Sequence, residues 1–240
     1  MFGRKKKETS KGGSEIYRYE KQENQGWRPP NADNSFMEEV VAYFEAFFPN
    51  RETTVFHEIM SDFIHIDVHV MNPTSTEDFY VLYTTGMSDM PMSVPKEIKK
   101  GKNLKYAELV MLLPSTWNSG EMYTLSTDMP DKDFWAISLI KFLARFPHEF
   151  KTWLGQGHTI PNGDYEPLLE GTEMNGVILL PHNTPQLTTK SGANINFYMV
   201  LPISRAEMEY KLEHGIEAFF DKFEKSKVSL IVDIYRKSVL

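Results

Sequence analysis

The chain has 240 residues, 41% hydrophobic and 13% aromatic, which is enough for one well-filled core or two small ones, and we expect one domain. It contains no cysteine, which excludes disulfides and thiolate metal sites and suits a reducing cytoplasm. Its net charge of −7 disfavours nucleic acid as a partner and favours basic protein surfaces.

The N-terminal segment, residues 1–33, is polar and is predicted to be mobile, whereas residues 34–240 are predicted to form a single domain. Its basic run, MFGRKKKETS, has no hydrophobic stretch behind it that would mark a secretory signal. No apolar run approaches the roughly 20 residues of a membrane-spanning helix. We therefore expect a cytoplasmic protein without membrane contact. The residues that could attach segment 1–33 to the folded domain are Ile16, Tyr17, Tyr19 and Trp27.

The first predicted helix begins at a capping box, Ser35 to Glu38, and continues to about Phe48, before Pro49. Its apolar side chains recur at helical spacing and should pack on the apolar face of a sheet. These residues are Met37, Val40, Val41, Phe44, Phe47 and Phe48.

Two neighbouring strands follow a short one at Thr53–Glu58. Strict alternation from Phe63 to Met71 predicts a strand with an apolar face and a face that carries His65, Asp67 and His69. The next strand starts at Phe79 and ends at Gly86. The polar face should therefore lie close to the Thr-Thr-Gly-Met-Ser turn.

The centre of the chain supplies a strand and a helix that are both strongly apolar. Leu104–Leu113 is apolar on both faces near its end, which predicts an internal strand. Phe134–Phe146 is apolar nearly all round, which predicts a helix between layers, capped by Asp131 or Asp133 and closed by Pro147.

A loop with two glycines, from Trp153 to Ile160, is a second candidate site, because glycine permits close backbone approach or positive φ. Two further strands, Val177–Pro181 and Ile195–Pro202, should each end at proline. A second capping box, Ser204 to Glu207, then opens a helix. Periodicity leaves Val228–Ile234 open as strand or helix. Together these elements predict an α+β fold: a mixed, largely antiparallel sheet of about five to seven strands flanked by helices.

Histidines and a carboxylate on one strand raise the possibility of a metal site. His65, Asp67 and His69, with His57 or His158 as a fourth ligand, offer donors for Zn²⁺. Side chains two and four residues apart on a strand diverge, however, and hydrogen-bonded structural or interface residues are the favoured interpretation. We therefore expect neither a metal nor a cofactor. No nucleophile elbow or phosphate-binding loop occurs in the sequence.

Four motifs in one order resemble the bacterial branch of the suppressor of fused domain family. They are SDFIHIDVHVMNPT, YVLYTTGMSDMPMSVP, AELVMLLPSTW and GQGHTI. The animal members are intracellular inhibitors that hold a transcription factor, and many bacterial members are taken to be immunity proteins or antitoxins encoded beside a toxin. The resemblance implies a non-catalytic protein-binding inhibitor, most concretely one that neutralises a cognate bacterial toxin. The alternatives are a metal-dependent enzyme built on His65, Asp67 and His158 or His57, and a regulator of an endogenous cytosolic protein.

Partner binding is expected where the two candidate sites carry adaptable or aromatic side chains. Three methionines, at 87, 90 and 92, suit a surface that meets a varied partner, with a core role as the alternative. In the animal relatives a partner peptide adds as a strand in a cleft, here expected near Asp67 and Gly86. A monomer and a weak dimer both remain open. The predicted contact residues are His65, Asp67, Thr85, Gly86, Met87, Ser88, Met90, Trp117, Trp153, Gly155, Gly157, His158 and Thr159.

Overall fold

The structure is a computed structural model and describes residues 8–19, 35–58, 63–98, 103–117, 131–182 and 185–240. Trp27, the basic run at residues 4–7 and the side chains of Asp131 and Asp133 lie outside the described residues. The strands are β1 (Glu8–Thr9), β2 (Glu15–Ile16), β3 (Thr53–Phe56), β4 (Asp67–Met71), β5 (Phe79–Thr85), β6 (Tyr106–Pro114), β7 (Thr159–Pro161), β8 (Met174–Pro181), β9 (Leu187–Thr188) and β10 (Asn194–Ser204). The helices are α1 (Met37–Phe47), α2 (Asp131–Glu149), α3 (Arg205–His214) and α4 (Ile216–Lys225), and a 3₁₀ turn spans Met87–Asp89.

Most of the strands form one mixed sheet, in the order β3-β4-β5-β6-β10-β8-β7, with β9 paired to β10. Only β6 and β10 pair in parallel among the described strands, and the other pairs in this sheet are antiparallel. The predicted α+β fold with a largely antiparallel sheet is confirmed. The short strands β7 and β9 went unrecognised in the sequence because two or three residues carry no periodic signal.

The two faces of the sheet are covered by different helices. Helix α2 packs with Val68, Val70 and Leu82 in the larger core. Helix α1 packs on the opposite face, where Phe44 stacks on Tyr83 with ring centroids 4.0 Å apart. Helix α1 thus packs on an apolar face of the sheet, but on the one opposite to Val68 and Val70. Neighbouring strands add enough apolar area to the His/Asp face to attract a helix of its own.

Several predicted element ends were wrong. Phe36, not Ser35, precedes α1, and it makes no side-chain cap hydrogen bond. Residues 63–66 lie outside β4. The capping box at Ser204 and Glu207 is confirmed, but the helix that it opens breaks at Gly215, where φ is 89°. The single predicted C-terminal helix is thus two helices.

Two prolines lie inside elements that they were expected to end. Pro147 is within α2, and that helix leaves Phe142 46% exposed, so it is not enclosed on all sides. Pro202 is within β10 and pairs with Val177 of β8. The pairing of β10 with β6 extends only to Met199, so in the described sheet Pro202 has one strand neighbour and its missing N–H breaks no ladder bond.

A hairpin of β1 and β2 in the N-terminal segment packs against the rest of the molecule. The Gly12 N–H donates to the Leu212 carbonyl at 2.8 Å, and Tyr19 Oη lies 2.6 Å from Thr152 Oγ1. The Tyr19 ring also contacts Phe146 edge-on, with ring centroids 5.2 Å apart. Residues 8–19 of the segment that was predicted to be mobile therefore contact the rest of the molecule.

The C-terminal segment after α4 forms no helix and makes one isolated parallel bridge, between Ile231 and Leu112. It is held by an ion pair between Arg236 and Glu207, whose two nitrogen–oxygen distances are 2.6 and 2.7 Å. None of the helices in the described ranges is long and apolar enough to cross a membrane.

Candidate functional site

A cleft of about 510 Å³ lies where the start of β4 and the end of β5 meet the start of α1. It combines apolar walls with histidines and carboxylates. Its lining residues are Ser35, Met37, His57, Phe63, Ile64, His65, Asp67, Thr85, Gly86, Asp89 and Met90. Six of these were predicted or considered as site residues from the sequence: His57, His65, Asp67, Thr85, Gly86 and Met90.

One carboxylate and two imidazoles form the polar centre of this cleft. Asp67 Oδ2 lies 3.0 Å from His57 Nδ1, and Asp67 Oδ1 lies 2.9 Å from His65 Nε2. The Glu58 backbone N–H also donates to Asp67 Oδ1, at 3.1 Å. The carboxylate is almost fully buried, while the side chains of His57 and His65 are 69% and 42% exposed. The buried carboxylate of Asp67 therefore holds the two accessible imidazole rings in place.

The third histidine of the central strand has a different environment. His69 is buried, stacks on Tyr83 and places Nε2 3.0 Å from Thr85 Oγ1. Burial lowers the pKa of His69 to about 4, so its ring is neutral at pH 7. His69 thus joins β4 to β5 and is not a member of the group formed by His57, His65 and Asp67.

Gly86 makes the turn that closes one side of the cleft. Its φ is +100°, and a Cβ atom at this position would lie 1.8 Å from the His65 carbonyl oxygen. The 3₁₀ turn that follows places Asp89 so that its Oδ1 accepts from the Phe36 backbone N–H at 2.9 Å. Burial raises the pKa of Asp89. A residue with a side chain at position 86 would push His65 away.

A second carboxylate supports this turn from inside the protein. Glu108 on β6 is fully buried and accepts from the Ser88 backbone N–H at 2.9 Å and from the hydroxyls of Ser88 and Thr84, each at 2.6 Å. Burial raises the pKa of Glu108 to about 8, although these donors act in the opposite direction. Its protonation state is therefore coupled to the 3₁₀ turn beside the cleft.

Some of the predicted contact residues near this turn lie inside the core. Met87 and Ser88 are completely buried, and Trp117 is 8% exposed and packs edge-on against Tyr80. Met92 is also in the core, whereas Met90 is half-buried and lines the cleft. The core role weighed for one or two of these methionines therefore applies to Met87 and Met92.

The glycine loop forms a separate feature. Trp153 contacts His158 edge-on, and Gly157, with φ +78°, donates to the Leu179 carbonyl at 2.7 Å. A Cβ at Gly155 would lie 2.5 Å from the Trp153 ring, and Thr159 lies 3.4 Å from Lys211 Nζ. Because β6 and β10 separate β5 from β8, this loop and the cleft do not combine into one site.

Sequence reasoning missed cleft residues that come from outside the central strands. Met37 was expected on the buried stripe of α1 but is 40% exposed and lines the cleft, as does Ser35. Asp89 was also overlooked. Its signal was a carboxylate directly after the Thr-Gly-Met-Ser turn, in a chain segment otherwise rich in methionine and proline.

The charge of the cleft is set by its carboxylates. None of the residues that line it is lysine or arginine, and both Asp67 and Asp89 face it. Two basic residues on α2 lie near the cleft but do not line it. Arg145 forms an ion pair with Glu58, and Lys141 interacts electrostatically with Glu58 and Asp67. The cleft therefore suits hydrogen-bond donors and cations better than anions.

The family model of suppressor of fused protein (SUFU) matches residues 62–237. A SUFU homologue from Neisseria gonorrhoeae has a similar fold, with a TM-score of 0.59, 17% identity and coverage of 85% of this chain and 96% of that one. A chain in the Sufu–Fu complex matches with a TM-score of 0.60, 11% identity and coverage of 86% and 93%.

Suppressor of Fused from Drosophila matches with a TM-score of 0.57 and 13% identity, over 89% of this chain and 52% of that one. This chain thus spans about half the length of the Drosophila protein. No curated protein matches the sequence. The family match extends over well more than half of the residues, including the strands that build the cleft, and the chain therefore belongs to the suppressor of fused family.

Proposed function

We propose that this protein is a non-catalytic inhibitor that binds a partner protein in the cleft at the start of β4, and that the partner is a bacterial toxin. The observation that carries the proposal is the cleft itself: it is open, partly apolar, and rimmed by exposed histidines and Met37. Interfaces between proteins likewise combine an apolar centre with a polar rim.

The sheet edge beside the cleft offers a second means of recognition. β3 is the first strand in the sheet order, and no other described strand pairs with its outer edge. An extended segment of a partner could add to β3 while its side chains enter the cleft. The half-exposed residues of β3 are compatible with such an added strand.

Membership of the suppressor of fused family supports a protein partner, and one structural relative was solved as a Sufu–Fu complex. The negative charge of this chain favours a partner protein that is basic. Residues 1–24 carry a net +3, so the rest of the chain carries −10, and the cleft itself is lined by two carboxylates. Many toxins that attack nucleic acids are basic, so an acidic inhibitor would meet them efficiently.

The test starts with the protein encoded next to this chain. The two purified proteins are mixed, and complex formation is measured by calorimetry alongside the toxic activity of the neighbour. We expect binding with one inhibitor per toxin and loss of activity at equal concentrations. Catalytic removal of the toxin by a small fraction of the inhibitor would contradict the proposal, and so would the absence of a complex.

A matched pair of variants on α1 tests the location. Met37→Lys places on the cleft rim a positive charge that repels a basic partner, whereas Phe47→Lys changes a similarly exposed side chain at the far end of the same helix. We expect Met37→Lys to weaken the complex by at least about tenfold, and Phe47→Lys to leave it unchanged. Equal effects of the two variants would place the interface elsewhere.

A further inference from the structure

The cleft contains a group of side chains whose donor atoms are close enough together to bind a metal ion. Suitable donor atoms of His57, His65 and Asp67 all lie within 4.8 Å of one another. The three residues come from different positions: His57 follows β3, His65 precedes β4 and Asp67 is its first residue. The sequence suggested a strand-face triad with His69 and offered His57 only as a fourth ligand. The antiparallel pairing of β3 with β4, in which Phe56 lies opposite Val68, places His57 beside Asp67.

The spacing suits a small divalent cation. In a tetrahedral zinc site with bonds of about 2.0–2.2 Å, neighbouring ligand atoms are roughly 3.3–3.6 Å apart. His57 Nδ1 lies 3.0 Å from Asp67 Oδ2, and His65 Nε2 lies 2.9 Å from Asp67 Oδ1. The donor atoms of the three residues are at most 4.8 Å apart. Both histidine side chains are partly exposed, so small rotations can place three donors around one ion.

The surroundings hold the carboxylate in position. The Glu58 N–H donates to Asp67 Oδ1, the kind of outer contact that orients a metal ligand. Glu58 and Asp89 add negative charge nearby, whereas Lys141 and Arg145 on α2 oppose a cation. Arg145 is paired with Glu58, and neither cation lines the cleft.

We propose that His57, His65 and Asp67 bind one divalent transition-metal ion, of which Zn²⁺ is the best match to two imidazoles and a carboxylate. Three protein ligands leave a coordination position that faces the cleft. The ion binds whether or not a partner protein is present, so this inference stands apart from the proposed inhibitor function.

The experiment uses the full, untagged chain after treatment with a chelator and dialysis. Zn²⁺ alone is titrated into the protein by calorimetry, and crystals grown with Zn²⁺ are measured on both sides of the zinc absorption edge. We expect one ion per chain, an anomalous peak between His65 and Asp67, and a higher Tm with Zn²⁺. Failure to bind at a one-to-one ratio, or a peak elsewhere, would overturn the proposal.

Variants separate this site from adventitious binding by surface histidines. His57→Ala and His65→Ala should each weaken Zn²⁺ binding by more than about tenfold. His214→Ala, which removes a half-exposed histidine on α3, should leave it unchanged. Because the His57 side chain is largely exposed, its variant should fold normally, and unaltered Zn²⁺ affinity in that variant would refute the site.

Discussion

Glu207 and Asp67 are two of the buried carboxylates in the described residues, and the side chains that hold them differ in exposure. Glu207 is held by Arg236, which donates at 2.6 and 2.7 Å and is itself 14% exposed. Asp67 is held by His57 and His65, which are 69% and 42% exposed. Burial of an acid therefore does not distinguish a structural site from a candidate binding site. The two sites are distinguished by how exposed the side chains that hold the acid are.

The contacts around Glu207 also close the fold. Its oxygens accept from the backbone N–H groups of Ser204 and Val239, at 2.9 and 3.0 Å, so it joins the start of α3 to the C-terminal segment. Arg236 donates in addition to the Pro202 carbonyl at 3.1 Å. Each oxygen of Glu207 thus accepts two hydrogen bonds from groups of the chain itself.

The largest effect is expected from Arg236→Met. The substitution leaves the buried Glu207 charge without its cation, and breaking a buried pair in this way costs about 3–5 kcal/mol. Urea denaturation measures the loss in the free energy of unfolding. Lys237→Met is the control, because the neighbouring Lys237–Glu173 pair is exposed and its loss should be undetectable. Equal, small effects would mean that Glu207 is not a structural centre.

The next largest effect is expected from Gly86→Ala, which tests how tightly the turn beside the cleft is built. The added Cβ would meet the His65 carbonyl oxygen at 1.8 Å, so overpacking adds about 1–3 kcal/mol to the strain of positive φ. Gly192→Ala has φ +83° and open space around its Cβ, so only the strain of about 1–2 kcal/mol applies. Thermal unfolding compares the two variants; equal losses would contradict the described turn.

An effect that is smaller per pH unit, but accumulates as the pH rises, is expected from Glu108. Its pKa is about 8 in the folded protein and about 4.5 when unfolded, so the folded state binds more protons between these values. Stability that is fully present below about pH 4.5 is lost as the pH rises to about 8, by at most about 1.4 kcal/mol per pH unit. In Glu108→Gln, where an amide replaces the protonated acid, the part of the slope due to this residue should vanish. An unchanged slope in urea titrations across this range would show that Glu108 is ionised in the fold.

The smallest effect on stability is expected from His57→Ala, although its effect on Zn²⁺ binding should be large. The side chain is 69% exposed, so its loss should cost less than about 1 kcal/mol. Urea denaturation in the absence of metal measures this cost. A loss as large as that of Arg236→Met would make the Asp67 group structural and remove the distinction between the two carboxylates.

Much of the core was predictable from local pattern. Alternation identified Val68 and Val70 as core residues, and both are buried; the doubly apolar β6 is internal, as predicted. The Ser204 capping box is present as predicted because both of its bonds form within four residues. Contacts between distant segments were not predictable: the exposure of Met37 depends on where α1 meets the sheet.

The sequence by itself determined the fold class and the main strands and singled out His65 and Asp67 as candidate site residues, because period-2 patterning and short motifs are local properties. Tertiary structure alone decided that His57, rather than His69 or His158, joins them. It also decided that Met87 is core while Met90 lines a cleft. The physical reason is that which side chains meet depends on strand register and chain bends, and these are set by packing across the whole molecule.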